Sequence, residues 1–454
     1  MNYSSRNAVA LNNRLFISQT AICDTGALDR LTRRRHVAVM QTHATRSTQQ
    51  ADALIVGGGM IGLGLAIGLA RAGLAVTVVD RADPRTMVDA ARDGRTIAIA
   101  HASALVLDGI GIWPAVAPLA CPITDIRVSD GDSLMFVHYD HRELGDAPLG
   151  HIVENHDLRR VLLDAASATP GLDLRAPAEA TDLVRDADGV SAMLDDGTRV
   201  RADLLLACDG RGSPIRRAAG IAVAEWSYGQ TAIVCCAQHE RPHRHIAHER
   251  FLPAGPFAIL PMRDDPAGRH RSSIVWTERS ERVPALLALD DAAFSAELAH
   301  RFGDFLGAVS LAGGRWSYPL SLSHAVRYTD RRLALVGDAA HAIHPIAGQG
   351  LNMGIRDVAA LAEVLVERRR LGLDIGTPDV LARYERWRRA DNTLLAVVTD
   401  LLTRLFSNNV APLRAARDSG LAAVNAMPPL RRFFMRHAMG TVGDLPRLLR
   451  GEAL

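Results

Sequence analysis

Three glycines with a fixed spacing are the first residues of this chain that could do chemistry. Gly57, Gly59 and Gly62 stand in residues 53–70, ALIVGGGMIGLGLAIGLA, with the spacing GxGxxG. In a nucleotide-binding turn the first glycine allows the tight turn, the second lets a diphosphate approach, and the third lets the next helix pack on its strand. The helix N-terminus then points its N–H groups at the anion. Alone the pattern is a weak signal, because glycines also occur in membrane helices and ordinary turns.

The same stretch has a second interpretation, because eighteen consecutive residues without a charge could cross a membrane as a helix. Two observations oppose that interpretation. The stretch contains six glycines, and it continues into a β-branched run that ends at Asp80. The order strand, glycine turn, helix, strand and acid is that of a βαβ unit, and Asp80 stands about 20 residues after the turn, where an acid can bind a ribose. We therefore favour a cofactor-binding unit.

A second group of candidate residues follows another apolar run, far down the chain. In residues 204–220, LLLACDGRGSPIRRAAG, the run ends at Asp209 and Gly210, and Ser213 and Arg216 come next. An acid that emerges from an apolar strand can bind the hydroxyl groups of a ribose. A turn acid without any ligand gives the same local pattern, so the acid alone is as consistent with a structural role.

A third group combines an acid with a glycine turn. Residues 333–357, LALVGDAAHAIHPIAGQGLNMGIRD, carry Gly337 and Asp338 after a strand-like run, and a long amphipathic helix follows. The turn region contains Pro345, Gly348, Gly350 and Asn352. A glycine turn that opens a helix presents free N–H groups and a positive dipole end, which would stabilise an anionic reduced flavin ring. The three groups together favour a cofactor site over ordinary turns.

The candidate metal ligands are weaker. His341 and His344 stand three residues apart without a carboxylate or thiol at ligand spacing, so we predict a structural or flavin-loop role and no metal. The five cysteines form no CxxC pair, which is typical of a reducing cytoplasm and argues against a disulfide framework or a zinc site. They are Cys23, Cys121, Cys208, Cys235 and Cys236.

Composition limits the remaining classes. The chain has 454 residues, 48% hydrophobic and 22% charged, as expected for a soluble protein with two domains. The net charge is +2 with acids and bases interspersed, so no nucleic-acid partner is indicated. All 52 basic residues are arginine, which excludes chemistry that needs a lysine, such as a Schiff base.

The first fifty residues differ from the rest, because RLTRRRHVAVMQTHATRSTQQ is rich in arginine and almost free of acids. An organelle transit peptide, a disordered tail and a wrongly chosen start upstream of Met40 all explain this composition. We favour a tail or a misplaced start for residues 1–50, and we exclude them from the predicted fold.

The three groups match, in order, the signatures of a known family. The GxGxxG fingerprint, the Asp209-Gly210 motif (DGxxSxxR) and the Gly337-Asp338 motif resemble those of the FAD-dependent aromatic hydroxylases of the p-hydroxybenzoate hydroxylase type, and the resemblance covers about residues 52–400. Within that family the chain is similar to the ubiquinone-biosynthesis hydroxylases. The similar segments are DGRTIAIAHAS (93–103), HERFLPAGPFAILPM (248–262) and YPLSLSHA (318–325).

The resemblance implies an α/β fold in which a Rossmann-like FAD-binding domain is discontinuous in sequence. We expect this domain to comprise residues 51–120, 150–220 and 323–390. A β-sheet substrate domain is expected from 121–149 and 221–322, and C-terminal helices from 391–454.

The resemblance also implies roles for single residues. Asp80 and Asp338 would contact the adenosine and ribityl parts of FAD, Arg95 would lie near the pyrophosphate, and Asn155 matches a flavin-contacting position. The Asp209 motif in this family serves both FAD and NAD(P)H. The cofactor-binding set predicted in this way is Gly57, Gly59, Gly62, Asp80, Arg95, Asn155, Asp209, Gly210, Arg216, Gly337, Asp338, Pro345, Gly348, Gly350 and Asn352.

The implied activity is hydroxylation of the ring of a polyprenylated phenol in ubiquinone biosynthesis, with NAD(P)H and O₂ and through a flavin 4a-hydroperoxide. No catalytic side chain is identified. A flavin-dependent halogenase is excluded, because those enzymes need a catalytic lysine. A prenyl reductase, a catabolic phenol hydroxylase and a non-catalytic accessory subunit remain as alternatives.

The C-terminal segment MPPLRRFFMRHAM, residues 427–439, alternates apolar residues with arginine. It is equally consistent with a helix packed on the protein and with an interfacial segment that docks on a membrane holding the hydrophobic substrate. We expect a cytoplasmic protein, peripheral on the inner membrane, that contacts the membrane surface and other ubiquinone-biosynthesis proteins.

Overall fold

The computed structural model describes residues 48–454 except 90–92, 132, 134, 345–347 and 409. The strands are β1 (Thr48–Val56), β2 (Val76–Val79), β3 (Thr96–Ala100), β4 (Cys121–Ile123), β5 (Asp125–Asp130), β6 (Phe136–Asp140), β7 (Gly150–Glu154), β8 (Leu172–Arg175), β9 (Ala180–Arg185), β10 (Val190–Leu194), β11 (Arg199–Ala207), β12 (Val223–His239), β13 (Ile246–Leu252), β14 (Gly255–Pro261), β15 (His270–Arg279), β16 (Val309–Ala325), β17 (Thr329–Asp330), β18 (Leu333–Leu335) and β19 (His341–Ala342).

Twelve α-helices lie in the described part of the chain. They are α1 (Met60–Arg71), α2 (Pro84–Met87), α3 (His101–Gly109), α4 (Trp113–Val116), α5 (Asn155–Ala168), α6 (Pro214–Ala218), α7 (Val283–Leu287), α8 (Asp291–Phe302), α9 (Gln349–Arg370), α10 (Pro378–Phe406), α11 (Ala411–Ala426) and α12 (Pro428–Met439). The mixture of parallel sheet and helices confirms the predicted α/β class.

The first sheet has a parallel centre in the order β8-β2-β1-β11-β18. The last residues of β1 and β11 and all of β2 are almost entirely apolar and buried, as expected where helices cover both sides of a parallel sheet. Val56 at the end of β1 pairs with Val79 of β2 and with Ala207 of β11. Ala207 pairs in turn with Leu335 of β18. The carboxyl ends of four strands therefore meet at one edge, where open α/β sheets bind their ligands.

The uncharged run at 53–70 is the end of β1, a glycine turn and most of α1. This helix is buried from Gly62 to Ala70, between the sheet and neighbouring helices. In the described part of the chain, no single helix is long and apolar enough to span a membrane. The segments His101–Gly109 and Trp113–Leu119 meet that criterion only as a pair, and they are bent by 120°.

The second large sheet has eight strands in the order β19-β16-β12-β15-β14-β13-β5-β6 and is antiparallel except for the pair β13–β5. One face packs on α8 through a cluster that includes Ile233, Trp276 and Phe294. A three-stranded sheet, β3-β7-β4, lies apart from the two large sheets in the strand pairing. The helix α10 runs continuously through residue 390, where the sequence analysis places a boundary.

Candidate functional site

The glycine turn after β1 has an open side and a closed side. Gly57 has φ +109°, and a Cβ atom there would lie 2.2 Å from the carbonyl oxygen of Cys208. A Cβ on Gly62 would lie 1.9 Å from the carbonyl oxygen of Gly57. A Cβ on Gly59 would meet nothing within 4 Å. Packing therefore requires the first and third glycines, whereas the second faces free space at the N-terminus of α1.

Asp80, at the end of β2, braces this turn. Its Oδ2 atom accepts a 2.6 Å hydrogen bond from the N–H of Gly58, and its Oδ1 atom accepts one of 2.7 Å from Ala82. The N–H of Gly57 also donates to the carbonyl of Val79 at 2.8 Å. The acid that the spacing singled out thus lies directly beside the glycine turn.

Asp209 follows β11 at the same edge and has one carboxylate oxygen in use. The N–H of Ile215 donates to Oδ2 at 3.2 Å, while Oδ1 is buried and has no hydrogen-bond partner among the described residues. Burial raises the pKa of this carboxyl. A buried acceptor without a partner costs free energy, so this oxygen is suited to a ligand donor such as a hydroxyl.

Arg216 joins two of the motifs. Its side chain is buried, and the guanidinium donates to the carbonyl of Ala339 at 2.7 Å and to that of Arg211 at 2.8 Å. Ala339 directly follows Asp338. The structure therefore gives Arg216 a positioning contact between the β11 and β18 turns, and its prediction as a cofactor contact stays a prediction.

A buried network of charged side chains, centred on Asp357, fixes the turn after β18. The N–H of Gly337 donates to Oδ2 of Asp357 at 3.0 Å, and Nε2 of His341 lies 2.6 Å from the same oxygen. Arg388 donates through Nε to Oδ1 of Asp357 at 2.8 Å. Burial opposes the charge on Asp357, but His341 and Arg388 outweigh it and hold the pKa of this carboxyl well below its usual range. Asp338 is left exposed at the sheet edge.

The N-terminus of α9 is fixed by Asn352. Its Nδ2 atom donates to the carbonyls of Ala98 and Gly348, each at 2.9 Å, and its Oδ1 atom accepts from Ala100 at 2.9 Å. Gly348 has φ +62°, and a Cβ on Gly350 would meet nothing within 4 Å. The side chain of Asn352 thus clamps β3 to the glycine turn, and the free space lies at Gly350. Pro345 lies outside the described residues.

Arg95 and Asn155 meet at a third acid, Asp93. Arg95 donates to the two oxygens of Asp93 at 2.8 and 2.7 Å, and Asn155 donates to Oδ2 at 3.0 Å. Burial raises the pKa of Asp93, but these bonds prevail and lower it to about 2. The guanidinium of Arg95 lies 4.6 Å from the centre of the Tyr318 ring. Oδ1 of Asn155 is buried without a hydrogen-bond partner in the described chain.

The carboxylate of Asp93 is the main cause of the raised pKa of Arg95, and the charge of Asp338 adds to it, so the Asp93 cluster lies close to the sheet edge. The topology brings Gly57, Asp80, Asp209 and Asp338 to one edge, and Arg95 and Asn155 lie together beside it. The sequence analysis did not identify Asp93 and Asp357 as site residues. Asp93 begins the segment DGR and Asp357 ends the segment GIRD, but neither segment shows which distant residues the acid contacts.

His344 lies two residues beyond β19. Its side chain is fully buried, and within the described residues neither ring nitrogen has a hydrogen-bond partner. Burial lowers its pKa to about 4, so the ring is neutral at pH 7. The ring packs edge-to-face on Tyr228 with centres 5.1 Å apart. Tyr228 lines a cleft of about 640 Å³ between β12, β15 and α10, which also contains Gln230 and Arg404.

Comparison with known proteins gives a consistent result. Residues 50–395 match the family model described as FAD binding domain. The chain is 54% identical over 407 residues to ubiquinone hydroxylase UbiL of Rhodospirillum rubrum, covering 89% of this chain and 94% of that protein. It is 40% identical to 3-demethoxyubiquinol 3-hydroxylase of Escherichia coli, covering 87% of this chain and 100% of that protein.

A solved structure supports the fold. The p-nitrophenol 4-monooxygenase PnpA from Pseudomonas putida superposes with a TM-score of 0.72 at 20% identity, covering 88% of this chain and 100% of that chain. At this identity the likeness concerns the fold alone.

Proposed function

Because the chain belongs to the FAD-dependent hydroxylases of ubiquinone biosynthesis, we propose that it hydroxylates the aromatic ring of a polyprenylated phenol with NAD(P)H and O₂. The observation that carries this proposal concerns one edge of the first sheet. There is free space at Gly59, and the Oδ1 atom of Asp209 has no hydrogen-bond partner among the described residues. The relatives' names point to a ubiquinone precursor as the substrate.

The residues at the edge fit FAD. The space at Gly59, in front of α1, accepts a diphosphate, and Asp80 lies at the end of the neighbouring strand, where the adenosine half would extend. Asp338 is exposed for the ribityl chain, and the α9 N-terminus at Gly350 faces free space suited to the ring. When bound, FAD supplies the electron transfer and the activation of O₂.

The protein's own contribution includes the exclusion of water. His344 is a neutral, buried imidazole with both nitrogens unengaged within the described chain. It directly precedes Pro345 in the predicted flavin loop. We propose that this buried, uncharged side chain helps to keep water from the reacting ring.

A deletion strain tests the activity. We expect it to accumulate an unhydroxylated polyprenylphenol, wild type to restore the hydroxylated product, and Asp338→Ala to fail. Asp304→Ala, an exposed acid next to the second sheet, is the matched control and should restore the product. Full rescue by Asp338→Ala would refute the role of the sheet edge.

Isotope and spectral measurements separate the alternatives. The purified protein should be yellow, with a flavin spectrum, and oxygen from ¹⁸O₂ should appear in the product. Consumption of NAD(P)H without ¹⁸O in the product would identify a prenyl reductase. A protein without turnover whose absence still blocks the pathway would identify an accessory subunit.

We also propose that α12 and the end of α10 contact a membrane surface. Met435 and Met439 are buried and hold α12 on the protein, while Phe433 and Phe434 are 52% and 41% exposed. Leu401 on α10 is 63% exposed. The exposed Arg432 and Arg436 would pair with anionic lipid headgroups.

Vesicle sedimentation tests this contact. Wild type should co-sediment with vesicles that contain anionic lipid, and Phe433→Ser/Phe434→Ser should lose most of that binding. Leu371→Ser, which removes a 72% exposed leucine at the end of α9, is the control and should bind as wild type. Equal sedimentation of both variants would refute the proposal.

A further inference from the structure

The turn between β12 and β13 brings together side chains that the cofactor site does not use. His243 and His245 lie in this turn, and Cys121 is the first residue of β4. Sγ of Cys121 is 3.5 Å from Nδ1 of His245, although 124 positions separate the two residues. One ligand atom from each of the three residues lies within 4.8 Å of the other two.

These distances match a metal site. A tetrahedral zinc ion with a Zn–S bond of about 2.3 Å and a Zn–N bond of about 2.0 Å holds sulfur and nitrogen about 3.5 Å apart. Cysteine and histidine are also the preferred ligands of zinc. The pair formed by Cys121 and His245 therefore already has the separation that coordination requires.

The orientation of His243 supports the same conclusion. Its Nε2 atom lies 2.8 Å from the carbonyl of Met262, to which it donates. Such a bond to a carbonyl fixes the tautomer of a metal-binding histidine and leaves the other nitrogen unprotonated. That nitrogen, Nδ1, accepts the backbone N–H of His245 at 3.0 Å, and a bound ion would take the place of this hydrogen bond.

Two residues of this turn have positive φ angles, which are unusual for residues with a side chain. Arg244 and His245 have φ +52° and +63°, in the left-handed region, where a residue with a side chain costs about 1–3 kcal/mol. This strained turn is the one that carries both imidazoles to Cys121. Strain of this kind is common where a turn is shaped around a ligand.

We propose that Cys121, His243 and His245 bind one zinc ion, with water in the fourth position. The Cys121 thiol releases its proton to solvent on binding, and no electrons are transferred. Cys121 is buried and His245 is exposed, so the ion enters from solvent along His245. The ion would fasten β4 to the β12–β13 turn.

Metal titration of the full-length protein, stripped with a chelator and kept reduced, tests the site. We expect one equivalent of Zn²⁺ per chain in competition with a chromophoric chelator. Co²⁺ should give a thiolate-to-metal charge-transfer band, and Zn²⁺ should raise the melting temperature. His245→Ala and Cys121→Ser should each weaken binding at least about 100-fold, since even an outer-shell change costs 10–100-fold.

Two matched variants keep the result specific. Cys236→Ser removes a half-buried thiol on β12, and His270→Asn removes a histidine outside the proposed ligand set. Both should bind Zn²⁺ as wild type. Wild-type affinity in His245→Ala, or a Co²⁺ spectrum without a thiolate band, would overturn the proposal. Flavin content and turnover are measured in parallel, so a failed zinc site is distinguishable from a failed hydroxylase.

Discussion

The substitution Gly59→Ala separates cofactor binding from folding at the glycine turn. Gly59 has φ −71° and ψ −178°, which alanine adopts, and a Cβ there meets no protein atom within 4 Å. The added methyl group instead occupies the space where we place the diphosphate. We therefore expect apoprotein that folds and a large loss of FAD affinity.

The size of the effect follows from the bonds at the helix N-terminus. Displacing a phosphate from one charge-assisted N–H bond costs about 1.5–3 kcal/mol, or about 10- to 150-fold in Kd. Loss of glycine at the helix start should lower the free energy of unfolding by less than about 1 kcal/mol. In Gly57→Ala, by contrast, backbone strain and a 2.2 Å approach to the Cys208 oxygen should together lower it by about 2–6 kcal/mol.

The assay is fluorescence titration of the apoprotein with FAD, with urea denaturation of the same sample. Gly64→Ala is the matched control, because it lies in the middle of α1 with nothing within 4 Å of its Cβ, and it should keep full FAD affinity. Wild-type FAD affinity in Gly59→Ala would show that the diphosphate does not lie at this turn.

Two further changes test other parts of the site. Arg388→Met leaves the buried Asp357 without its guanidinium partner and should lower the free energy of unfolding by about 3–5 kcal/mol in urea denaturation, whereas the exposed Arg389→Met should change it by less than about 0.5 kcal/mol. Asp93 has a folded-state pKa of about 2, below that of an unfolded chain, so its stabilisation is complete above about pH 4 and is lost as the pH falls towards 2. Urea titrations of Asp93→Asn should show a smaller loss of stability over that interval than wild type, and an equal loss would contradict the assignment.

The parts of the site that follow from local sequence were predictable. Gly57, Gly62 and Asp80 belong to one βαβ unit, in which each residue's task depends on neighbours a few positions away. The α/β class follows from the same alternation of apolar runs and glycine turns. The parallel register then carries Asp209 and Asp338 to the edge where Gly57 already lies.

Contacts between distant residues could not be read in the same way. A motif places Asn352 and Arg216 near a cofactor, but it does not show that their side chains already bind backbone carbonyls. The role of Asp357 depends on Arg388, which belongs to another helix. Likewise, the absence of a local cysteine–histidine pattern concealed the approach of Cys121 to His245. Such pairs depend on tertiary packing, which a single sequence does not specify locally.

The helix α10 links two parts of the molecule. Its 29 residues span about 43 Å at 1.5 Å per residue. About a third of the way along it, Arg388 is bound to Asp357, which accepts a hydrogen bond from the N–H of Gly337. Further along the same helix, Leu394 and Leu401 face solvent. The buried ion pair therefore connects a helix with an exposed apolar stretch to the turn that carries Asp338.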